Sequence, residues 1–250
     1  MFFVVGVALI ALSLVVLRRV RLPLADEKAI ALNHPHYVMT FRLRADPLVL
    51  VVDCPTLHVQ GLMFDRIAAL IEKANAPRDR VLSWPELTEA ATTAHQTIGT
   101  YYYGNDYSAH SLRRFFRIAR RDHRKLNAQE KKLRTLLGRV GYLRRGANGA
   151  VISLPAAGTG KRVSMHARAV ILRHEISHGA FFTLPFYRTY TKQFWTLILT
   201  QAERQDFRSS FFTAAAVGLP QATIDQLRAD YIAHMPHFWL KRLALEPLPR

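Results

Sequence analysis

The chain has 250 residues, half of them hydrophobic and 21% charged. That excludes a disordered chain and allows one large domain or two small ones with a real core. Its single cysteine, Cys54, excludes an internal disulfide and a cysteine-rich zinc module, so any metal must use His and carboxylate ligands. The net charge of +17 favours anionic partners.

The N-terminus is apolar. Phe2 to Leu17 is a run of sixteen apolar or small residues, followed by Arg18, Arg19, Val20 and Arg21. A spanning helix needs about 20 apolar residues, with roughly 17 as the lower limit, so the run plus Met1 is just long enough. A secretory signal carries its positive charge before the apolar run and a cleavage site after it. Here the charge comes after and no such site follows. The expectation is an uncleaved single-pass anchor over residues 1–22. The positive-inside rule puts the rest of the chain on the cytoplasmic side.

Leu48 to Pro55 reads as a buried strand, Val-rich and stopped by proline. Leu62, Ile67, Leu70 and Ile71 fall at helical spacing, and Asn75 and Pro77 end that helix. Ser83 and Glu86 form a capping box that opens a helix running to about Gln96. The aromatic, glycine-punctuated segment 99–108 reads as a strand and turn. A basic amphipathic helix follows, with Leu112, Phe115, Phe116 and Ala119 on its apolar face. Asn127 and Glu130 cap another helix, with Gly138 as its end. Asn148-Gly149 is the turn signal of a hairpin between two short runs. A helix then begins near Ser164.

From His110 to Arg145 there are thirteen Lys and Arg against Asp122 and Glu130. This region is expected to be a solvated helix face near a membrane, able to meet anionic lipid. Nucleic acid is not an expected partner, because no recognisable module accompanies the charge. After the anchor, a soft boundary is expected near Gly104. It separates an α/β part, 23–104, from a mainly helical part, 105–250.

The chemistry-bearing stretch is Ile171 to Thr183, which contains His174, Glu175 and His178 in the spacing His-Glu-x-x-His. Residues four apart share one helix face, so both imidazoles can point at one ion. Zinc accepts such nitrogens, and Glu175 beside them can act as general base toward a water that the metal activates. The surrounding Ala169, Val170, Ile171, Leu172 and Ile176 argue that this helix is not freely solvated. Gly179 follows the motif directly, where space beside a metal is needed.

The segment Arg173 to Gly179 resembles the active-site helix of zincin metallopeptidases of the gluzincin-like branch. The resemblance spans Gly141 to about Met235 and is specific at the His-Glu-x-x-His core. It implies an α+β fold, mainly helical, whose active-site helix is preceded by a small sheet. It also implies one Zn2+ ion, a peptide or protein substrate, and a strand edge that binds the substrate backbone. Gly149 to Pro155 is the segment that would supply that edge.

Catalytic zinc takes three protein ligands and keeps one position open. The extended motif with a third histidine is absent, so the third ligand comes from further along the chain. Glu203, Asp206, Asp225, Asp230, His234 and His237 are the candidates. Glu203 has capping-box spacing with Thr200, which accounts for it without metal. Asp230 shares an apolar helix face with Leu227, Tyr231 and His234, where a carboxylate is costly unless paired. Asp230 also lies in a segment resembling the acidic one that supplies the third ligand in some of these proteins, where Glu is usual. Asp230 is therefore the expected third ligand, with Glu203 or His234 as alternatives. The contrasting function is a non-catalytic, basic, membrane-anchored binding protein that keeps a zincin-like helix as scaffold.

Overall fold

The computed structural model describes residues 21–72, 76–101, 103–159, 163–198 and 200–202. Five strands form one mixed sheet: β1 (Leu24–Ala25), β2 (Met39–Leu43), β3 (Val49–Cys54), β4 (Asn105–Ser108) and β5 (Ala150–Pro155). Their order across the sheet is β1-β2-β3-β5-β4. β3 and β5 run parallel, from Val49 opposite Ala150 to Cys54 opposite Pro155. β4 pairs antiparallel with β5, β2 antiparallel with β3, and β1 parallel with β2. Seven α-helices occur among the described residues. They are α1 (Glu27–Ala31), α2 (Leu57–Ile71), α3 (Trp84–Thr93), α4 (Ala109–Arg121), α5 (Ala128–Val140), α6 (Met165–Thr183) and α7 (Pro185–Gln193), and one π-helical turn follows at Phe194–Ile198. The α+β class expected from the sequence is the class observed.

Helices cover both sheet faces, which explains why β3 is buried at every position and reads as a continuous apolar run. Side chains alternate across a strand, so β3 and β5 feed two cores. On one face Leu50, Val52 and Val151 join Phe64 and Ile67 of α2, Phe115 of α4 and Leu133 of α5. On the other, Val49, Val51 and Ile152 join Ile30 of α1 and Ile171 and Leu172 of α6.

Each face has a buried arginine tie. Arg66 of α2 donates through Nε and Nη2 to both carboxylate oxygens of Glu130 on α5, at 2.8 and 2.6 Å. Arg168 of α6 is 0% exposed. It grips both oxygens of Asp53 at 2.9 and 2.7 Å and donates to the carbonyls of Ile30, Ala31 and Pro155. One side chain thus pins the start of α6 to β3, β5 and α1. It also explains how a carboxylate can sit inside an apolar strand: the planar guanidinium satisfies it in two places at once.

Local signals hold at several ends. Both capping boxes form, at Ser83 with Glu86 and at Asn127 with Glu130. Leu112, Phe115, Phe116 and Ala119 are all buried, as the apolar face of α4 requires. Other expectations are corrected. α3 stops at Thr93 rather than Gln96. α5 ends at Gly141, whose φ of 86° is the left-handed cap that favours glycine, and Gly138 lies inside the helix.

The hairpin around Asn148-Gly149 does not form. Only β5 is a strand there, and the residues before it are held as a loop by Tyr142, whose hydroxyl donates to the Leu48 carbonyl at 2.6 Å. Gly149 lies under the Tyr142 ring, where a Cβ would come within 2.4 Å of Cζ. The soft boundary near Gly104 does not divide the sheet, because β3 and β5 are hydrogen-bonded neighbours across it. Nor is Gly149 to Pro155 an edge. β5 is flanked by β3 and β4, and β4 is the edge strand on that side. No helix among the described residues is long and apolar enough to cross a membrane, and the expected anchor lies almost wholly outside them.

Candidate metal centre

Ser164 caps α6, its hydroxyl accepting from the Ala167 N–H at 3.0 Å. The helix then lies close against the sheet. Gly179 makes this approach, since a Cβ there would stand 2.9 and 3.0 Å from the Val49 methyls. The expectation that Gly179 leaves room for a metal is therefore corrected: the room is taken by the sheet.

His174 and His178 face each other from successive turns of α6, with Nε2 to Nε2 3.1 Å and ring centroids 4.7 Å apart. Two nitrogens at about 2.0–2.1 Å from a tetrahedral zinc lie about 3.3 Å from each other, so this spacing is close to what one ion needs. The other nitrogen of His178, Nδ1, donates to Oδ2 of Asp106 at 2.9 Å. That hydrogen bond puts a proton on Nδ1, so Nε2 is the nitrogen that a neutral His178 offers to a metal, the arrangement in which a carboxylate orients a ligating imidazole. His178 keeps 44% of its side-chain surface exposed, so an ion can reach the pair.

Burial, aided by the neighbouring His178, lowers the His174 pKa to about 4, and Asp106 only partly opposes this. His174 is thus neutral near pH 7, the form that binds metals. For His178, burial also acts downward, but the hydrogen bond and charge of Asp106, together with the charge of Glu72, raise its pKa overall.

Glu175 is 6% exposed. Burial first, then the charges of Asp106 and Glu72, raise its pKa well above the ordinary carboxylate value. No hydrogen bond reaches its carboxylate from the other described residues. Gly104, just before β4, packs directly on it: a Cβ there would stand 2.0 Å from Glu175 Oε1. Only a glycine at 104 leaves this carboxylate its place.

The sequence motif residues His174, Glu175 and His178 are therefore brought together. Three contributors were not foreseen: Asp106 on β4, Glu72 at the end of α2, and Gly104. Asp106 lies 68 positions before Arg173's neighbour His174 in sequence, and no local spacing ties them. The expected third ligand Asp230, and the alternatives Glu203 and His234, lie outside the described residues, as do Asp206, Asp225 and His237. Among the described residues no third His, Cys, Asp or Glu completes a metal-holding group. The two histidines fit zinc as a pair of ligands, and a third protein ligand, carboxylate or imidazole, would be needed to close the set. No protein-family model, no curated protein and no solved structure matches this chain.

Proposed function

We propose that the chain is a membrane-anchored, zinc-dependent metallopeptidase. The observation that carries this reading is the histidine pair. Its Nε2 atoms lie 3.1 Å apart, His178 is oriented by Asp106, and a buried Glu175, with no cationic partner among the described residues, stands beside them. The buried carboxylates of Asp53 and Glu130 are clamped by arginine; Glu175 instead sits beside Asp106 and Glu72, a setting that raises its proton affinity.

In this reading His174 and His178 hold one Zn2+, with Asp230 as third ligand and Glu203 or His234 as alternatives. The ion, when bound, supplies Lewis acidity toward water and the scissile carbonyl. Glu175 accepts a proton from the attacking water and returns it to the leaving amine. Its raised pKa suits both halves of that transfer. Asp106 holds His178 in one tautomer throughout. The outer edge of β4, next to this site, is where an extended peptide would lie.

The test combines metal content with hydrolysis of an unstructured peptide library. One zinc per chain is expected, with cleavage abolished by Glu175→Gln and zinc retained. Zinc retained with no cleavage by the wild-type chain would favour the non-catalytic scaffold reading. Absence of zinc binding would end both.

A further inference from the structure

We propose that a groove between β2 and the end of α5, lined by Arg42, Arg139, Arg144 and Arg145, binds the headgroups of anionic phospholipids and seats this face of the domain on the bilayer. The inference rests on the membrane-anchored part of the function proposed above.

The groove has a volume of about 470 Å³ and no carboxylate among its lining residues. Arg139, Arg144 and Arg145 are exposed, and among the described residues nothing accepts from their guanidinium groups. Arg42 donates to the Pro47 carbonyl at 2.5 Å, which fixes it at the wall. The nearby carboxylate of Asp46 is already engaged, accepting from the Leu48 N–H at 3.0 Å and from the Thr183 hydroxyl. It is 8% exposed and does not neutralise the rim.

Two observations select a lipid surface among anionic partners. The first is position. The Arg42 N–H donates to the Pro23 carbonyl at 2.8 Å, and Arg42 is the β-sheet partner of Leu24. Arg42 therefore stands beside Pro23 and Leu24, which in sequence follow closely on Arg18, Arg19, Arg21 and the apolar run that ends at Leu17. The second is the apolar rim. Leu24 and Leu48 are 47% and 37% exposed beside these arginines. Exposed leucines among cationic side chains suit the headgroup boundary of a bilayer, where each kind of group finds its medium.

A second arginine-lined groove, between α4 and residues 78–79, lacks these features. It contains Asp79, and Arg114 and Arg121 donate to the Arg78 and Asp79 carbonyls.

The experiment uses the full chain with vesicles of phosphatidylcholine alone or with about 30% phosphatidylglycerol, reading amide hydrogen exchange by peptide. Exchange over residues 138–148 should slow by about tenfold or more only on the anionic vesicles, and the effect should vanish in about 0.5 M salt. The triple variant Arg139→Gln, Arg144→Gln, Arg145→Gln should lose that protection while β3 and β5 stay protected. Arg117→Gln with Arg120→Gln, in the other groove, should keep it.

Equal exchange on the two vesicle types would overturn the groove assignment, and so would loss of protection in the Arg117 and Arg120 variant. Slowing over 138–148 by an RNA oligonucleotide on neutral vesicles, as strong as that by phosphatidylglycerol, would assign the groove to nucleic acid instead. Association with neutral vesicles separately tests the anchor. A chain that ignores them refutes the anchor, yet the comparison of exchange with and without anionic lipid still decides the groove.

Discussion

Three of this molecule's buried carboxylates, Asp53, Glu130 and Glu175, sit in two contrasting settings. Glu130 and Asp53 are each gripped at both oxygens by a buried arginine, Arg66 and Arg168. Glu175 is buried too, yet the charges that raise its pKa are those of Asp106 and Glu72, which are acidic. The first two tie helices together. The third is set where ionisation is costly, and burial beside like charge raises its proton affinity. A carboxylate kept in such a place contributes nothing evident to the fold, which is why it directs attention to chemistry.

Breaking the Arg168–Asp53 tie tests the structural side of the contrast most severely. Removing one partner of a buried pair leaves an uncompensated charge and typically costs about 3–5 kcal/mol. Arg168→Met should destabilise by that order, read from denaturant unfolding. It should detach the start of α6 first, read from hydrogen exchange over residues 165–172. A variant as stable as the wild type would mean that Asp53 does not depend on Arg168.

The metal ligands come next. Asp230→Ala should lose zinc on mild chelation, whereas Asp230→Glu should bind it and Glu203→Ala should keep it. Zinc retained by Asp230→Ala and lost by Glu203→Ala would exchange their roles. Asp106→Asn acts one step further out. It removes the charge behind His178 but keeps a hydrogen-bond acceptor, and losing such a partner typically weakens metal affinity or activity about 10–100-fold. Competitive zinc titration measures this, and an unchanged affinity would reduce Asp106 to a packing residue.

Glu175→Gln should act in the opposite direction to Arg168→Met on stability. In the chelated protein the folded pKa of Glu175 is raised above its unfolded value. The folded state therefore holds the proton longer, and stability falls as pH rises above the unfolded pKa of about 4.3. Gln does not titrate, so the variant should gain on the wild type as pH rises through that window. Thermal unfolding at pH 4 and pH 7 would show it, and an equal difference at both would contradict the raised pKa.

The smallest effect is expected at Glu86, whose pKa is lowered to about 2 by hydrogen bonds from Ser83 and then by Arg80. Its contribution is present above the unfolded pKa of about 4.3 and is lost as pH falls toward 2. Glu86 is only half-buried, so Glu86→Gln should change stability at pH 7 by less than about 1 kcal/mol. A larger loss would show that the capping box of α3 matters more than its exposure suggests.

Much of this arrangement was legible in the chain because its causes are local. Ser83 with Glu86 and Asn127 with Glu130 satisfy N–H groups within one turn, so spacing alone locates those helix starts. The apolar stripe of α4 and the unbroken run of β3 record burial on one side and on two. His174 and His178 meet because four residues make about one helical turn. Tertiary structure decided the rest. The sheet order made β4, and not β5, the edge, and so brought Asp106 to His178 and Gly104 to Glu175. Gly179 serves the packing of α6 on Val49, and Asp53 is tolerated because Arg168 reaches it from 115 residues away. Such contacts join residues with no common periodicity. The chain encodes each partner separately, and only the fold determines that they meet.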